Sequence, residues 1–174
     1  SFFRPKGKRT KILCEAKAFP SDQYALASQL RFHGLDPATH LIEVAPRDGE
    51  HHIHTADFKA AIDKHGDEIA MMMIGGVNYY TGQVMAMEEL TSHAQQRGIV
   101  VGWDLAHGAG NVELHLHDWN VDFAAWCHYK YLNAGPGATA GYFVHEKHHG
   151  QNDLPRFEGW WGHEKETRFE MPNT

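Results

Sequence analysis

The sequence predicts an α/β fold, a mostly parallel sheet flanked by helices, and three observations carry that prediction. Short apolar runs alternate with helix-like stretches along most of the chain. Two of the runs, Ile69-Ala70-Met71-Met72-Met73-Ile74 and Ile99-Val100-Val101-Gly102-Trp103, are continuously apolar, as strands covered on both faces are. No internal repeat or low-complexity linker divides the chain.

Taken in order, Lys11 to Ala18 reads as the first strand. Ser21 is placed to cap a helix that carries Leu26 and Leu30 at i and i+4 and ends near Gly34. A second strand falls at Leu41 to Val44. Thr55 is the expected cap of the next helix, with Phe58 and Ile62 on one face and Gly66 past its end. The apolar run from Ile69 follows and stops at Gly75-Gly76. A helix over Met87 to Arg97, using Leu90 and Ala94 and closed by Gly98, leads into the run from Ile99. Val121 to Cys127 and Ala138 to Val144 are the last strands, with too little chain between them for a helix, which leaves that pair open to an antiparallel arrangement.

Composition narrows the function classes. With 174 residues and 42% hydrophobic content the chain can bury a core. The balance of 16 basic against 22 acidic residues, a formal charge of -6, argues against nucleic acid as a partner, and the cluster from Arg4 to Lys11 reads as a solvated terminal arm. No apolar run reaches the roughly 20 residues that span a bilayer, so no membrane partner is expected and a soluble, cytoplasmic protein is. Cys14 and Cys127 lie in apolar surroundings and are expected as reduced core residues. The 15 histidines are densest at His51-His52-Ile53-His54 and His115-Leu116-His117. Neither cluster has a cysteine set or a His-Glu-x-x-His helix, so both are assigned to the surface and no metal is expected.

The chemistry centres on His128-Tyr129-Lys130-Tyr131-Leu132-Asn133-Ala134-Gly135-Pro136-Gly137, where a lysine follows an apolar run and precedes a glycine-rich turn. An amine that forms a Schiff base must be neutral part of the time, which needs partial burial or nearby positive charge. Taken alone, such a lysine is an ordinary surface residue. Asp104 ends the preceding apolar strand, and alone it would be an ordinary helix cap. Together, an aspartate and a lysine on neighbouring strand ends match the pairing of pyridoxal phosphate enzymes, in which the carboxylate keeps a proton on the pyridine nitrogen and the lysine tethers the aldehyde. Phe19 can lay its face on such a ring, and His107 can pack against it or orient Asp104. Four loops, Phe19-Pro20-Ser21-Asp22, Gly75-Gly76, Asp104-Leu105-Ala106-His107 and the lysine stretch, are expected to converge at the carboxyl ends of the strands.

Phe19-Pro20-Ser21-Asp22, Tyr80-Thr81-Gly82-Gln83, Asp104-Leu105-Ala106-His107, Gly110-Asn111-Val112-Glu113-Leu114, Tyr129-Lys130-Tyr131-Leu132-Asn133 and Gly159-Trp160-Trp161-Gly162-His163 together resemble the kynureninase family of fold-type I pyridoxal phosphate enzymes. The resemblance implies an aspartate aminotransferase-type large domain, of which residues 1–174 are an internal part, with an N-terminal segment and a C-terminal small domain outside this chain. It implies pyridoxal 5'-phosphate as cofactor and hydrolysis of L-kynurenine, or 3-hydroxykynurenine, to anthranilate or 3-hydroxyanthranilate and L-alanine. Tryptophan breakdown, NAD synthesis and a cytoplasmic homodimer are implied with it. Lys130 and Tyr129 are the implied catalytic residues. Phe19, Pro20, Ser21, Asp22, Gly75, Asp104, His107, Tyr129, Lys130 and Trp160 are the implied cofactor contacts. Gly75 stands where some relatives carry serine, and His128 where a small hydroxyl residue is common. Another fold-type I enzyme, a cysteine desulfurase or an aminotransferase, is the alternative, as is an inactive fragment.

Overall fold

Residues 1–151, 157 and 159–171 are described by a computed structural model. Lys11–Glu15 forms β1, Leu41–Val44 β2, Ile69–Gly75 β3, Val100–Asp104 β4, Phe123–Cys127 β5 and Ala140–Val144 β6. They pair in one six-stranded sheet of order β2-β1-β3-β4-β5-β6. Every pair is parallel except β5 with β6. Helices α1 (Pro20–Phe32), α3 (Thr55–His65) and α4 (Met87–Gln95) supply crossovers that parallel neighbours require, and a short α2 (Pro37–His40) precedes β2. Because β1 lies between β2 and β3, the chain leaves it first to one side and later to the other. That reversal opens a crevice at the carboxyl ends of β1 and β3.

Alternation along the strands divides the core between the two faces of the sheet. Leu13, Met72 and Ile74 join Phe58, Ile62, Leu90 and Trp103 in one cluster, while Ile12, Cys14 and Met71 join Leu26, Leu30 and Phe3 in the other. Buried Trp103 donates its indole N–H to Thr91 Oγ1 at 3.0 Å, which satisfies two polar groups inside the first cluster. Gly102 has a packing reason: a Cβ there would meet the Phe123 ring at 2.1 Å, and that ring is stacked on Phe2 with centroids 4.6 Å apart. Buried Asp122 accepts from Val101 N–H at 2.8 Å and Gln95 Nε2 at 3.1 Å, and its other oxygen lies 2.9 Å from Lys147 Nζ and 2.8 Å from His148 Nε2.

Element boundaries depart from the sequence reading for local reasons. The first strand ends at Glu15, because Lys17 takes a left-handed conformation (φ 55°) that turns the chain. Ser21 is not the cap of α1. Phe19 holds that position, and Pro20 occupies the first turn, where its fixed φ and missing N–H cost nothing. Thr55 is likewise inside α3, with His54 at the cap position. The unforeseen α2 is capped by Asp36, whose Oδ1 accepts from Ala38 N–H at 3.0 Å.

The N-terminal segment is also not a free arm. Phe3 is buried, and the Arg9 guanidinium donates to the carbonyls of Gly66 (2.8 Å), Ile69 (2.9 Å) and Arg97 (2.6 Å). Five-donor fork geometry suits arginine to gathering three carbonyls in this way. Among the described residues, no helix is long and apolar enough to cross a membrane.

Candidate active site

The crevice between β1 and β3 is lined by Glu15, Phe19, Asp22, Gly75, Val77, Tyr79, Asp104, Ala106, His107 and Lys130. Each arrives from a strand end or the turn after it. Parallel pairing of β3 with β4 sets Gly75 beside Asp104, and Gly76 N–H donates to the Asp104 carbonyl at 2.8 Å. The β4 end is held by the Asp104 side chain itself: Oδ1 accepts from Ala106 N–H at 2.8 Å. The ordinary turn-capping role of that aspartate and a place in the crevice are therefore compatible.

Asp22, on the first turn of α1, meets Asp104 across the crevice. Burial, followed by the charge of Asp104 and a hydrogen bond with its side chain, pushes the Asp22 carboxyl from its ordinary 3.8 up to about 7, with Glu15 adding to the rise and Lys130 opposing it. Glu15 lies below this pair and is buried. Its Oε1 accepts from Gly75 N–H at 3.1 Å, while its Oε2 is buried without a hydrogen-bond partner. Burial raises its carboxyl too, against hydrogen bonds from its own backbone and Gly75 that favour the charge. A Cβ on Gly75 would come within 3.0 Å of Glu15 Oε1, so the bare backbone at this position is matched to the glutamate below it. The crevice thus gathers three carboxyl groups, two of which, Asp22 and Glu15, are raised above their ordinary values chiefly by burial.

Lys130 lines the same crevice, near enough for its charge to oppose the rise of Asp22. Its half-buried Nζ lies 5.8 Å from the centroid of the Phe19 ring and 5.1 Å from that of Tyr129, and it donates to Cys127 Sγ at 3.4 Å. Asn133 N–H donates back to the Lys130 carbonyl at 3.0 Å, and Asn133 is left-handed (φ 57°), which closes the lysine loop. Phe19 lines the crevice beside the amine, supported edge-on by Tyr79 at 5.3 Å. An amine, carboxyls and an aromatic ring lining one crevice can tether a carbonyl while stabilising a protonated ring nitrogen.

Of the residues expected from sequence, the structure brings Phe19, Asp22, Gly75, Asp104, His107 and Lys130 to the crevice. Pro20 and Ser21 build the first turn of α1 and are exposed. Tyr129 borders the lysine with its ring half exposed. His107 turns its ring edge-on to Tyr131 at 5.9 Å. Trp160 does not line the crevice, but packs on Trp161 and Phe169 and donates to the Arg168 carbonyl at 2.9 Å. Cys127 is only half buried, and its contact with Lys130 takes it out of the core role expected for it. Cys14 is the buried thiol expected, and burial pushes it up.

Sequence reasoning missed Glu15, Val77, Tyr79 and Cys127. Only Glu15 left a signal, as a charged residue closing the apolar run Lys11-Ile12-Leu13-Cys14.

A family profile described as Aminotransferase class-V matches residues 30–157. The chain is 61% identical to the kynureninase of Flavobacterium johnsoniae over 174 residues, and 59% identical to that of Nematostella vectensis over 170. Those alignments take in 99% and 98% of this chain but 41% and 37% of the relatives, so the chain spans well under half the length of the curated proteins it matches. Among solved structures, alanine–glyoxylate aminotransferase from Nostoc sp. matches with a TM-score of 0.64 at 18% identity, over 88% of this chain and 39% of that one. Cysteine desulfurase from Thermococcus onnurineus matches with a TM-score of 0.63 at 19% identity, over 82% and 33%. At such identities the structural likeness speaks to fold alone.

Proposed function

This chain belongs to the aminotransferase class-V family, and from that premise we propose that the protein carrying it is a pyridoxal phosphate-dependent kynureninase. It would cleave the Cβ–Cγ bond of L-kynurenine, or of 3-hydroxykynurenine, to release anthranilate or its hydroxy form and L-alanine. The observation that carries the reading is the placement of Lys130, the Asp22–Asp104 pair and Phe19 on one crevice, in a chain 61% identical to a kynureninase.

The residues present fit the cofactor. The orphaned oxygen and raised carboxyls at the β1–β4 end suit a protonated pyridine nitrogen, and the half-buried amine suits an aldehyde. When bound, pyridoxal phosphate supplies an electron sink for charge developing at the substrate Cα. The chain's own groups do the rest. Asp104, held by Ala106 N–H and adjoining Asp22, keeps the ring-nitrogen proton in place. Phe19 covers one face and excludes water from it. Lys130 Nζ, once free, moves the proton at Cα, with Tyr129 beside it to bind phosphate or relay a proton.

Cytoplasmic location, a homodimer and a place in tryptophan breakdown that feeds NAD synthesis belong to the same proposal. Tyr131, Leu132 and Tyr142 are exposed around the lysine loop and β6, as a surface awaiting a further domain or subunit would be.

The test is to assay the whole protein for anthranilate fluorescence from kynurenine. Wild type should produce it, and Lys130→Ala should lose both turnover and the lysine-dependent cofactor absorbance. Sulfide from cysteine, or keto acid from an amino donor, in place of anthranilate would replace this reading with a desulfurase or an aminotransferase.

A further inference from the structure

The connection from β2 to α3 carries side chains that the crevice does not use. Glu50 Oε2 lies 2.5 Å from His54 Nε2 and 3.9 Å from His52 Nε2, and the ligating atoms of all three residues are within 4.8 Å of one another. The two imidazole rings are 4.5 Å apart. We propose that Glu50, His52 and His54 form a binding site for a borderline divalent transition metal, Zn2+ being the natural occupant to test.

Placement supplies the first reason: Ile53 is buried in the core, and the histidines on either side of it bring their rings 4.5 Å apart beside Glu50. In sequence this cluster is assigned to the surface because it has no cysteine set or His-Glu-x-x-His helix; the structure adds the Glu50 carboxylate, two residues before His52, to the two histidines.

The loop is also built in place rather than gathered by an ion. Ile53 N–H donates to Gln83 Oε1 at 2.9 Å, and Gln83 Nε2 donates back to the Ile53 carbonyl at 2.6 Å, so the backbone between the two histidines is clamped. At the start of the loop Glu50 N–H donates to the Arg47 carbonyl at 2.9 Å. The Arg47 guanidinium forks onto Asp57 with two bonds of 3.0 Å, which leaves the Glu50 carboxylate to the histidines.

The donor chemistry selects the ion. Two imidazoles and one carboxylate suit Zn2+, Ni2+ or Cu2+ rather than Ca2+ or Mg2+, which favour oxygen ligands. Bonds of about 2.0–2.1 Å around one tetrahedral ion set donors about 3.3 Å apart, within reach of small side-chain rotations from the spacing observed. Three protein ligands leave a fourth position to water. On binding, the hydrogen bond between His54 Nε2 and Glu50 Oε2 gives way, since both atoms become ligands.

The ion would act as a clip and not as part of the reaction, because none of the three residues lines the crevice. Its route to the site is short: the clamp residue Gln83 donates its N–H to Thr81 Oγ1 (3.2 Å) and accepts at its carbonyl from Asn78 N–H (2.8 Å), in the turn that carries Tyr79 against Phe19.

The experiment titrates Zn2+ into the untagged whole protein, following heat and the visible absorption of Co2+ in parallel. Wild type should hold one equivalent in the micromolar range, and Zn2+ should raise its Tm. His52→Ala and Glu50→Gln should each weaken binding at least tenfold, and His52→Ala with His54→Ala should abolish the Tm shift. His115→Ala with His117→Ala should change neither. An unaltered equivalent in the His52/His54 double variant, an equal loss in the His115/His117 control, or no binding by wild type would overturn the proposal. Kynurenine turnover is not read in this titration, so its outcome is separate from the catalytic assignment.

Discussion

Replacing Asp22 by asparagine should flatten the pH dependence of folding stability. In the folded protein the Asp22 carboxyl is raised from 3.8 to about 7, so it binds its proton more tightly folded than unfolded. Its contribution to stability is fully present below 3.8 and is lost as pH rises through about 7. At about 1.4 kcal/mol for each pH unit, a rise of roughly three units would convert in full to about 4 kcal/mol. Asp22 sits on the open first turn of α1 and is partly solvated, and solvent screening reduces such couplings severalfold. The expected effect is therefore about 1–2 kcal/mol. The assay is urea unfolding by tryptophan fluorescence at pH 5 and pH 8, on protein prepared without cofactor. Wild type should lose stability between the two pH values, and Asp22→Asn should remove about 1–2 kcal/mol of that loss. Asp104→Asn should remove a smaller part of it, because burial is the first cause of the rise and the Asp104 charge the second. An undiminished pH dependence in Asp22→Asn would refute the coupling of the two carboxyls.

Three other substitutions follow from buried polar groups. Glu15→Gln keeps an acceptor for Gly75 N–H and should stay within about 1 kcal/mol of wild type at pH 5, whereas Glu15→Ala orphans that donor and should lose about 2–4 kcal/mol by urea titration. Thr91→Val preserves shape but strands the Trp103 indole N–H, an expected loss of about 1–3 kcal/mol that disappears in the Trp103→Phe background of a double-mutant cycle. For Asp122, burial alone would raise the carboxyl, but bonds from Lys147, Val101, Gln95 and His148 outweigh it and hold it below 3.8. Its stabilisation is present above that value and is lost as pH falls through the lower folded one. Asp122→Asn should cost about 2–3 kcal/mol at pH 7 and progressively less as the pH is lowered below 3.8, as thermal melts across that range would show.

Much of this molecule was legible in one dimension, because burial leaves a local imprint. A strand covered on both faces is apolar at every position, so β3 and β4 could be located to within a residue or two from Ile69 and Ile99. Helix faces are read the same way, from Leu26 with Leu30 and Phe58 with Ile62. Phe19, Asp104 and Lys130 were recognisable because each stands just past an apolar run, where parallel sheets present their ligand-binding loops. Cap positions were less legible: Phe19 and His54 hold them without side-chain bonds, so the polar residues that follow drew the assignment instead.

What the tertiary structure decided is which strand ends become neighbours. Apolar periodicity shows that β1 is buried but not that it lies between β2 and β3, and only that order brings Glu15 under Gly75, 60 residues away. The same order sets Asp22 against Asp104 and so raises a carboxyl that no local feature marks. The cluster from Arg4 to Lys11 looks like a solvated arm in sequence because the partners of Arg9, the carbonyls of Gly66, Ile69 and Arg97, are distant in the chain. Sequence determined the elements and the chemically able residues, through local physics. Long-range pairing determined their company, and with it the proton affinities and contacts on which the proposed chemistry depends.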